Sequence, residues 1–497
     1  GALVEGPVGE HGAIAIAARR SYIDGVLALA LPEDGAVNLT TAPRYYDAQI
    51  LYDFQYSAHR LKLLAYGSSD RFIALLTKAS ANNPSARGEG RLALEWGGTQ
   101  ADWRYNFSDT IFNRLNISYL ATSTEVAFGR TVDLDFLFHQ LLIRDEFEWK
   151  TGEMFTLRAG LDTELLSSNI DAYGSGGPPK EGEPQRNGGY DDVLAVESQT
   201  YLASPALWTE GLLKLGPVLL VPGLRLDYLG STSELLLQPR FTLRWNVTAG
   251  TVLKGGVGSY YQQPNGDEYS EGVGNPNVKS ESGVHASVGA EHRFTKALEL
   301  DTSLFYKDFR DLIRRVSDPN VRLDNQGIGR AYGFEVLLRH NLTSRFFGWI
   351  SYTLQRSERR DAPGADWRLF DSDQTHNLVM IGQYKFTPKW TFGLRWRYVT
   401  GNPTTPVVAS VYQADLDRFT PIYGEVNSER NDDFHQLDLR LDRQWVFDTW
   451  RLTAYLDVRN VYNRANGAGR SYNYDYSESE PRTEIPLVPS FGVRGEF

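Results

Sequence analysis

Polar and apolar residues alternate with a period of two along most of this chain. In 235–247, LLLQPRFTLRWNV, one face carries Leu237, Pro239, Phe241, Leu243, Trp245 and Val247, and the other carries Gln238, Arg240, Thr242, Arg244 and Asn246. In 434–446, Leu437, Leu439, Leu441 and Trp445 alternate with Asp438, Arg440, Asp442 and Gln444. In 450–458, Trp450, Leu452, Ala454, Leu456 and Val458 alternate with Arg451, Thr453, Tyr455 and Asp457. The stretch 390–398 sets Trp390, Phe392, Leu394, Trp396 and Tyr398 against Thr391, Gly393, Arg395 and Arg397. Successive side chains of a strand point to opposite faces, so these are strands with one apolar and one polar face. They run for 9–13 residues. Strands of globular proteins average about 5–6 residues, whereas a tilted strand crossing a membrane needs about 9–11. Trp245, Trp390, Trp445 and Trp450 fall near strand ends, where an interfacial girdle places them.

The connections alternate in length. Short ones at 108–110, 151–154, 248–249, 343–344, 387–389 and 448–449 are interleaved with long polar ones at 169–196, 263–282, 359–373, 402–433 and 464–488. About 20 strands can be placed by alternation, and a further hairpin fits in 23–43 or 402–433. The pattern predicts an all-β fold: a large antiparallel transmembrane β-barrel of about 22 strands, with short periplasmic turns and long extracellular loops. A sandwich does not show this loop asymmetry, and no blade-length repeat of a propeller is present.

Composition sharpens the picture. Twenty-seven Tyr and 11 Trp stand beside 24 Phe, and Tyr and Trp suit a boundary that is apolar on one side and wet on the other. No window of about 18 apolar residues exists, which excludes transmembrane helices but not strands. With no Cys, disulfides and thiolate metal sites are impossible. The 51 basic and 62 acidic residues give a net charge of −11 without basic blocks, so nucleic acid is not an expected partner. The sequence starts at Gly1 with no signal peptide, which marks a processed product or a fragment.

Several segments are similar to those of a known family. The opening GALVEGPVGEHGAIAIAARRSYIDGVL, with Arg19, Arg20, Ser21, Tyr22, Ile23 and Asp24, resembles the start of the barrel in TonB-dependent outer-membrane receptors. GNPNVKSESGVHASVGAEHRF (274–294) resembles their loop-to-strand motif through Asn275, Pro276, Val278, Lys279, Glu281, Gly289 and Glu291, with Ser280 where Pro is usual. GRAYGFEVLLR (329–339), NVYN (460–463) and the terminal PSFGVRGEF are also family-like. The resemblance implies a Gram-negative outer-membrane location and an uptake receptor for a scarce or large ligand. It further implies a plug domain inside the barrel and a link to the TonB system through that plug. On this reading residues 1–10 are a remnant of the plug–barrel junction and 11–497 are the barrel, with the plug supplied as a separate or cleaved chain. Outer-membrane lipid, lipopolysaccharide and a surface lipoprotein are further expected partners. The terminal Phe497 resembles the signal read by the barrel-assembly machinery.

The candidate sites follow from the same frame. Arg240, Arg244, Asp438, Arg440, Asp442, Arg451 and Asp457 are expected to face the lumen and the plug. Loop aromatics Tyr260, Tyr261, Trp367, Tyr472, Tyr474 and Tyr476, with Gln262, are expected to bind ligand, against the plainer reading that a period-two aromatic run continues a strand. None of the eight His forms a His-x-x-x-His pair. His285 and His292 are about 23 Å apart at strand rise, too far to share a metal. Asp324 and Asn325 of RLDNQG could hold Ca²⁺ through oxygens, although a solvated loop explains them as well. No catalytic set, resident metal or cofactor is expected, and an enzyme is not. The acidic balance favours a cationic or metal-bridged ligand by steering. The alternatives to uptake are a plugless outer-membrane conduit, or a docking barrel for a surface or secretion complex.

Overall fold

The computed structural model describes the chain except at 22–36, 77–87, 129–131, 176–192, 272–273, 317–320, 415–417, 484–486 and 497. Its first strands are β1 (Ala2–Val8), β2 (Gly12–Arg20), β3 (Val37–Tyr56), β4 (His59–Leu76), β5 (Gly88–Asn106), β6 (Ile111–Phe128), β7 (Val132–Lys150), β8 (Phe155–Ser175) and β9 (Val193–Leu215). Then come β10 (Val218–Leu229), β11 (Glu234–Asn246), β12 (Thr251–Gln262), β13 (Glu281–Arg293), β14 (Leu298–Arg315), β15 (Leu323–His340), β16 (Phe346–Arg360), β17 (Arg368–Leu369), β18 (His376–Thr387) and β19 (Trp390–Val399). The remainder are β20 (Pro403–Thr404), β21 (Val407–Gln413), β22 (Arg418–Tyr423), β23 (Glu429–Arg430), β24 (Phe434–Val446), β25 (Arg451–Arg459), β26 (Gly467–Tyr472), β27 (Ser479–Thr483) and β28 (Val488–Glu496).

Twenty-two of these form one sheet in which sequence neighbours pair antiparallel, the architecture of a large β-barrel wall. Hairpin-to-hairpin pairing satisfies the backbone groups of the strands between β1 and β28 from within the sheet, which is what a strand in lipid requires. One of the 22, β17, is a two-residue rung on the outer end of β16. The pairs β20–β23, β21–β22 and β26–β27 are small sheets in the long loops. The 402–433 segment therefore holds a hairpin, as its length suggested, but one outside the wall. Among the described residues no ladder joins β28 to β1.

The register splits the residues cleanly. Directly paired residues share a face, so Phe241, Val257, Leu304 and Leu354 stand on the apolar outer side. Arg244, Lys254, Glu291 and Asp301 stand on the polar inner side. Many outward residues are exposed, as a lipid-facing wall demands: Phe491 is 72% and Val493 58% exposed. Strand length is uneven. The strands β3 to β9 run for 18–23 residues, against 10 for β19 and 9 for β25. Only about 9–11 residues cross the bilayer, so with short turns fixing the inner ends, β3 to β9 rise well above the membrane.

Within residues 1–10, expected as a plug–barrel junction remnant, Ala2–Val8 form a strand: β1 pairs with β2 along its whole length, from Ala2 opposite Ala18 to Val8 opposite Gly12. The reason is local: Gly9, at φ 65°, supplies the left-handed residue of a tight turn, and this folds the segment back as a hairpin arm.

Candidate functional site

The site sits at the outer mouth of the lumen, on the inward face of β11 to β16. Cross-strand pairing carries it from strand to strand. Arg240 is opposite Gly258, and Gly258 is opposite His285. Next along, His285 is opposite Lys307, and Gly283 is opposite both Tyr260 and Phe309. Farther round, Gly329 is opposite Phe309 and Arg359. The rings and cations interlock. Tyr260 stacks on His285 at 4.6 Å, and His285 meets Phe309 edge-on at 5.7 Å. The Arg240 guanidinium lies 4.9 Å from the Tyr260 ring centre, and that of Arg359 lies 4.1 Å from Phe370. Tyr260, His285, Lys307, Phe309, Arg359 and Phe370 line a cavity of about 330 Å³, with Arg240 beside it against Tyr260.

Glycine makes this arrangement possible. A methyl group on Gly258 would come within 2.9 Å of the Tyr260 hydroxyl, and one on Gly283 within 3.2 Å of both His285 and Phe309. Missing side chains opposite or beside the aromatics let the rings lie flat on the wall.

The loop between β12 and β13 joins two of the strands that line the cavity. The single helical turn Gly266–Tyr269 is capped by Glu268, which accepts a hydrogen bond from the Asn265 N–H at 2.7 Å. Burial pushes the Glu268 carboxyl upward. Asn275 donates to the Leu323 carbonyl at 2.7 Å, and Asn325 accepts from the Lys279 N–H at 2.8 Å while donating to its carbonyl. The loop-to-strand motif read in the sequence thus ties this loop to β15. Asn325 is a brace, and Asp324 is taken by Arg314 at 2.7 Å, so neither is arranged around a cation. Among the described residues no group of three potential metal ligands converges.

Of the aromatic set expected from sequence, Tyr260 lines this cavity from the inner face, and Tyr261 and Gln262 also border it. Tyr261 pairs with Ser282 on the opposite face. Trp367 is clasped between the guanidiniums of Arg330 and Arg360, 4.1 and 4.3 Å from its ring centre, on the outward side with Glu358. Tyr472, Tyr474 and Tyr476 belong to the β26–β27 hairpin. Tyr474 packs edge-on against Phe419 of β22 at 5.7 Å, and Tyr476 is buried at φ 59° beside Tyr472. They join two loop hairpins to each other because a Tyr inside a short hairpin finds its neighbour hairpin before it finds the lumen.

The inward charges pair within the wall. Arg244 donates to Glu291 at 2.9 Å, and Lys254 to Asp301 at 2.7 Å. Asp438 accepts from Arg395 at 2.9 Å and from the Asn460 N–H at 3.0 Å. Arg440 bonds Asp442 at 2.8 Å and approaches Asp457 at 3.9 Å, and Arg451 lies 3.8 Å from Glu496. Similar ties surround Asp102, held by Arg104 and Arg114, and Asp162, held by Arg144 and Arg225. Phe497 lies outside the described residues.

Lys307, Phe309 and Arg359 were not singled out by sequence, and His285 was weighed only as a metal ligand. Each is an inward position near the outer end of its strand, a signal that becomes readable only once the register is known.

A charged lumen inside a 22-stranded wall, with short turns at one end and long loops at the other, is the architecture of an outer-membrane receptor barrel. The family model described as TonB dependent receptor-like, beta-barrel matches residues 28–461, and the chain belongs to that family. Its members reside in the outer membrane of Gram-negative bacteria and work with TonB. Among solved structures, the chain is similar to the ferric citrate transporter FecA in its unliganded form: 14% identity, TM-score 0.73, covering 99% of this chain and 75% of that one. It is also similar to the ferric-catecholate import receptor Fiu of Escherichia coli K12, with 14% identity and TM-score 0.69 over 99% and 79% of the two chains. A third is Pseudomonas aeruginosa FpvA bound to heterologous pyoverdines, with 12% identity and TM-score 0.68 over 99% and 69%. At these identities the likeness is one of fold. No curated protein sequence matches.

Proposed function

We propose that this barrel is the wall of an energised uptake receptor whose ligand first lodges in the mouth cavity of β12 to β16. The plug, on this reading, is supplied as a separate or cleaved chain. The observation that carries the reading is the inward cluster of Arg240, Lys307 and Arg359 among Tyr260, His285, Phe309 and Phe370. Cations beside exposed ring faces grip a planar, negatively charged ligand by charge and by stacking. The net charge of −11 pointed towards a cationic ligand. That steering is screened beyond about 8–10 Å, so the groups at the mouth act on a ligand at close range. Of the two carboxylates lining the cavity, Glu281 is engaged by the Ile313 N–H at 2.8 Å and Glu358 by Arg330 and Arg356. Ferric chelates handled by the structurally similar transporters are the first ligands to try. Titration of the purified protein with ferric citrate and ferric catecholates, read by tryptophan fluorescence, tests the reading. Saturable binding weakened by Tyr260→Ala supports it, and no saturable binding of any anionic chelate overturns it.

Docking of a surface protein is a second reading, favoured by one observation. The β21–β22 hairpin packs Phe419 against Tyr474 of the β26–β27 hairpin but leaves Val411 52% and Ile422 45% exposed on its other face.

A further inference from the structure

The outward face of the same strands carries a second cavity, of about 990 Å³, that uptake does not use. Its floor is Gly255 and Ala286, and Phe241, Leu304, Tyr306 and Phe334 form its rims. Gly255 lies opposite Leu243 and Val288, and Ala286 lies opposite Val257 and Tyr306. Two small residues on adjacent strands therefore hollow a wall that is otherwise convex.

The groove has a definite height. Phe241 and Leu243 lie about five residues above the 247–250 turn, and Tyr332 and Arg356 about ten above the 341–345 turn, where about 9–11 tilted residues span the bilayer. The groove thus runs from mid-membrane to the outer interface, the depth of one acyl chain in the outer leaflet. Tyr306 and Tyr332, stacked at 6.4 Å, mark its upper end as an aromatic girdle would.

Above that end is a shelf of arginines. Arg330 and Arg356 both bond Glu358, at 2.7 and 2.6 Å. Arg360 shares their face and lies against Trp367, and its buried Nε has no hydrogen-bond partner. The neighbouring Arg310 and Asp308 neutralise each other at 2.7 Å. Three guanidiniums thus face one carboxylate at the exit of an apolar groove.

We propose that this is a binding site for lipopolysaccharide, with one acyl chain in the groove and a phosphate on the Arg330–Arg356–Arg360 shelf. Guanidinium forks match phosphate oxygens, and burying the chain removes apolar surface from both partners. A zwitterionic phospholipid fills the groove equally well but gains little from the shelf, so the site selects for net phosphate charge.

The test is native mass spectrometry of the protein extracted from outer membranes in mild detergent, followed by competition with added lipopolysaccharide or phosphatidylethanolamine. The expected result is one retained lipopolysaccharide per barrel. Arg356→Gln should cut its retention at least tenfold, and Ala286→Phe, which fills the groove with another lipid-facing apolar group, should do the same. Glu358→Gln should raise retention by freeing both arginines. Heat-modifiable gel migration confirms that each variant is folded. Equal retention in the wild type, Arg356→Gln and Ala286→Phe, or displacement by phosphatidylethanolamine as efficient as by lipopolysaccharide, would mean that the lipid is merely annular and would overturn the proposal.

Discussion

Single side chains at the lumen mouth work through charge and through the space left by glycine. Lys307→Gln keeps length but removes a cation that faces the cavity beside His285. A charge-assisted hydrogen bond contributes about 1.5–3 kcal/mol, so the Kd for a bound anionic chelate should rise roughly tenfold or more, with barrel melting unchanged. Titration calorimetry checks this. Gly258→Val drives a side chain into the Tyr260 ring and should weaken the same ligand without altering any charge, which separates stacking from electrostatics. A different residue sets the stability of the loops. Asp373 is fully buried, paired with Arg430 and accepting from the Ser357 N–H at 2.7 Å. Arg430 also donates to the carbonyls of Asp373 and Gly401, both at 2.9 Å. Arg430→Met strands that carboxylate, and breaking a buried pair costs about 3–5 kcal/mol. Hydrogen exchange of 361–375 and 400–433 should therefore accelerate sharply while the wall stays protected. Such residues are the least legible in sequence. Asp373 and Arg430 are 57 positions apart, and nothing local marks either as buried.

At the level of elements, alternation made the strands readable and long loops hid the rest. The faces of β11, β19, β24 and β25 are those the period-two pattern assigns, because a wall between lipid and water forces strict alternation. The β21–β22 and β26–β27 hairpins lack that constraint, and their packing through Tyr412, Phe419 and Tyr474 could not be read. Phe419→Ala should loosen both hairpins together, seen as coupled gains in protease sensitivity within 407–423 and 467–483. Uncoupled cleavage would show that they move separately. The loop after β16 is pinned differently. Asp361 accepts from Arg368 at 2.7 and 2.8 Å, and that guanidinium holds its carboxyl below the ordinary value. A depressed folded-state pKa gives stability that is full above the unfolded value, near 4, and is lost as pH falls through the folded one. Asp361 is half exposed, so the pair contributes no more than about 1 kcal/mol. Loop 361–375 should show faster hydrogen exchange only below about pH 4, and Asp361→Asn should abolish that pH dependence.

The whole molecule poses the question of what fills a lumen this wide. Its inward charges are largely matched by neighbours on the wall: Arg244 with Glu291, Lys254 with Asp301, Asp438 with Arg395, and Asp162 with Arg144 and Arg225. A lining neutralised in this way would meet the proposed plug across water and hydrogen bonds, and would leave no buried unpaired charge behind if the plug moved. That suits a plug pulled on repeatedly, since only half-exposed pairs of low individual worth are disturbed. Removing one partner should then alter transport more than folding. Arg244→Gln is expected to cost the barrel less than about 1 kcal/mol, yet to leave Glu291 facing the pore and shift its ion selectivity towards cations. Planar-bilayer recordings read that shift directly. The same recordings decide the plug. If the plug is supplied separately as proposed, the protein purified from outer membranes should carry a second, lumen-filling polypeptide detectable by intact-mass spectrometry and should conduct little. Urea extraction of that polypeptide should open a large steady conductance, on which the Arg244→Gln shift is then measured. A preparation with no second polypeptide that conducts steadily from the start would rule out a separately supplied plug, and would favour the plugless conduit over uptake.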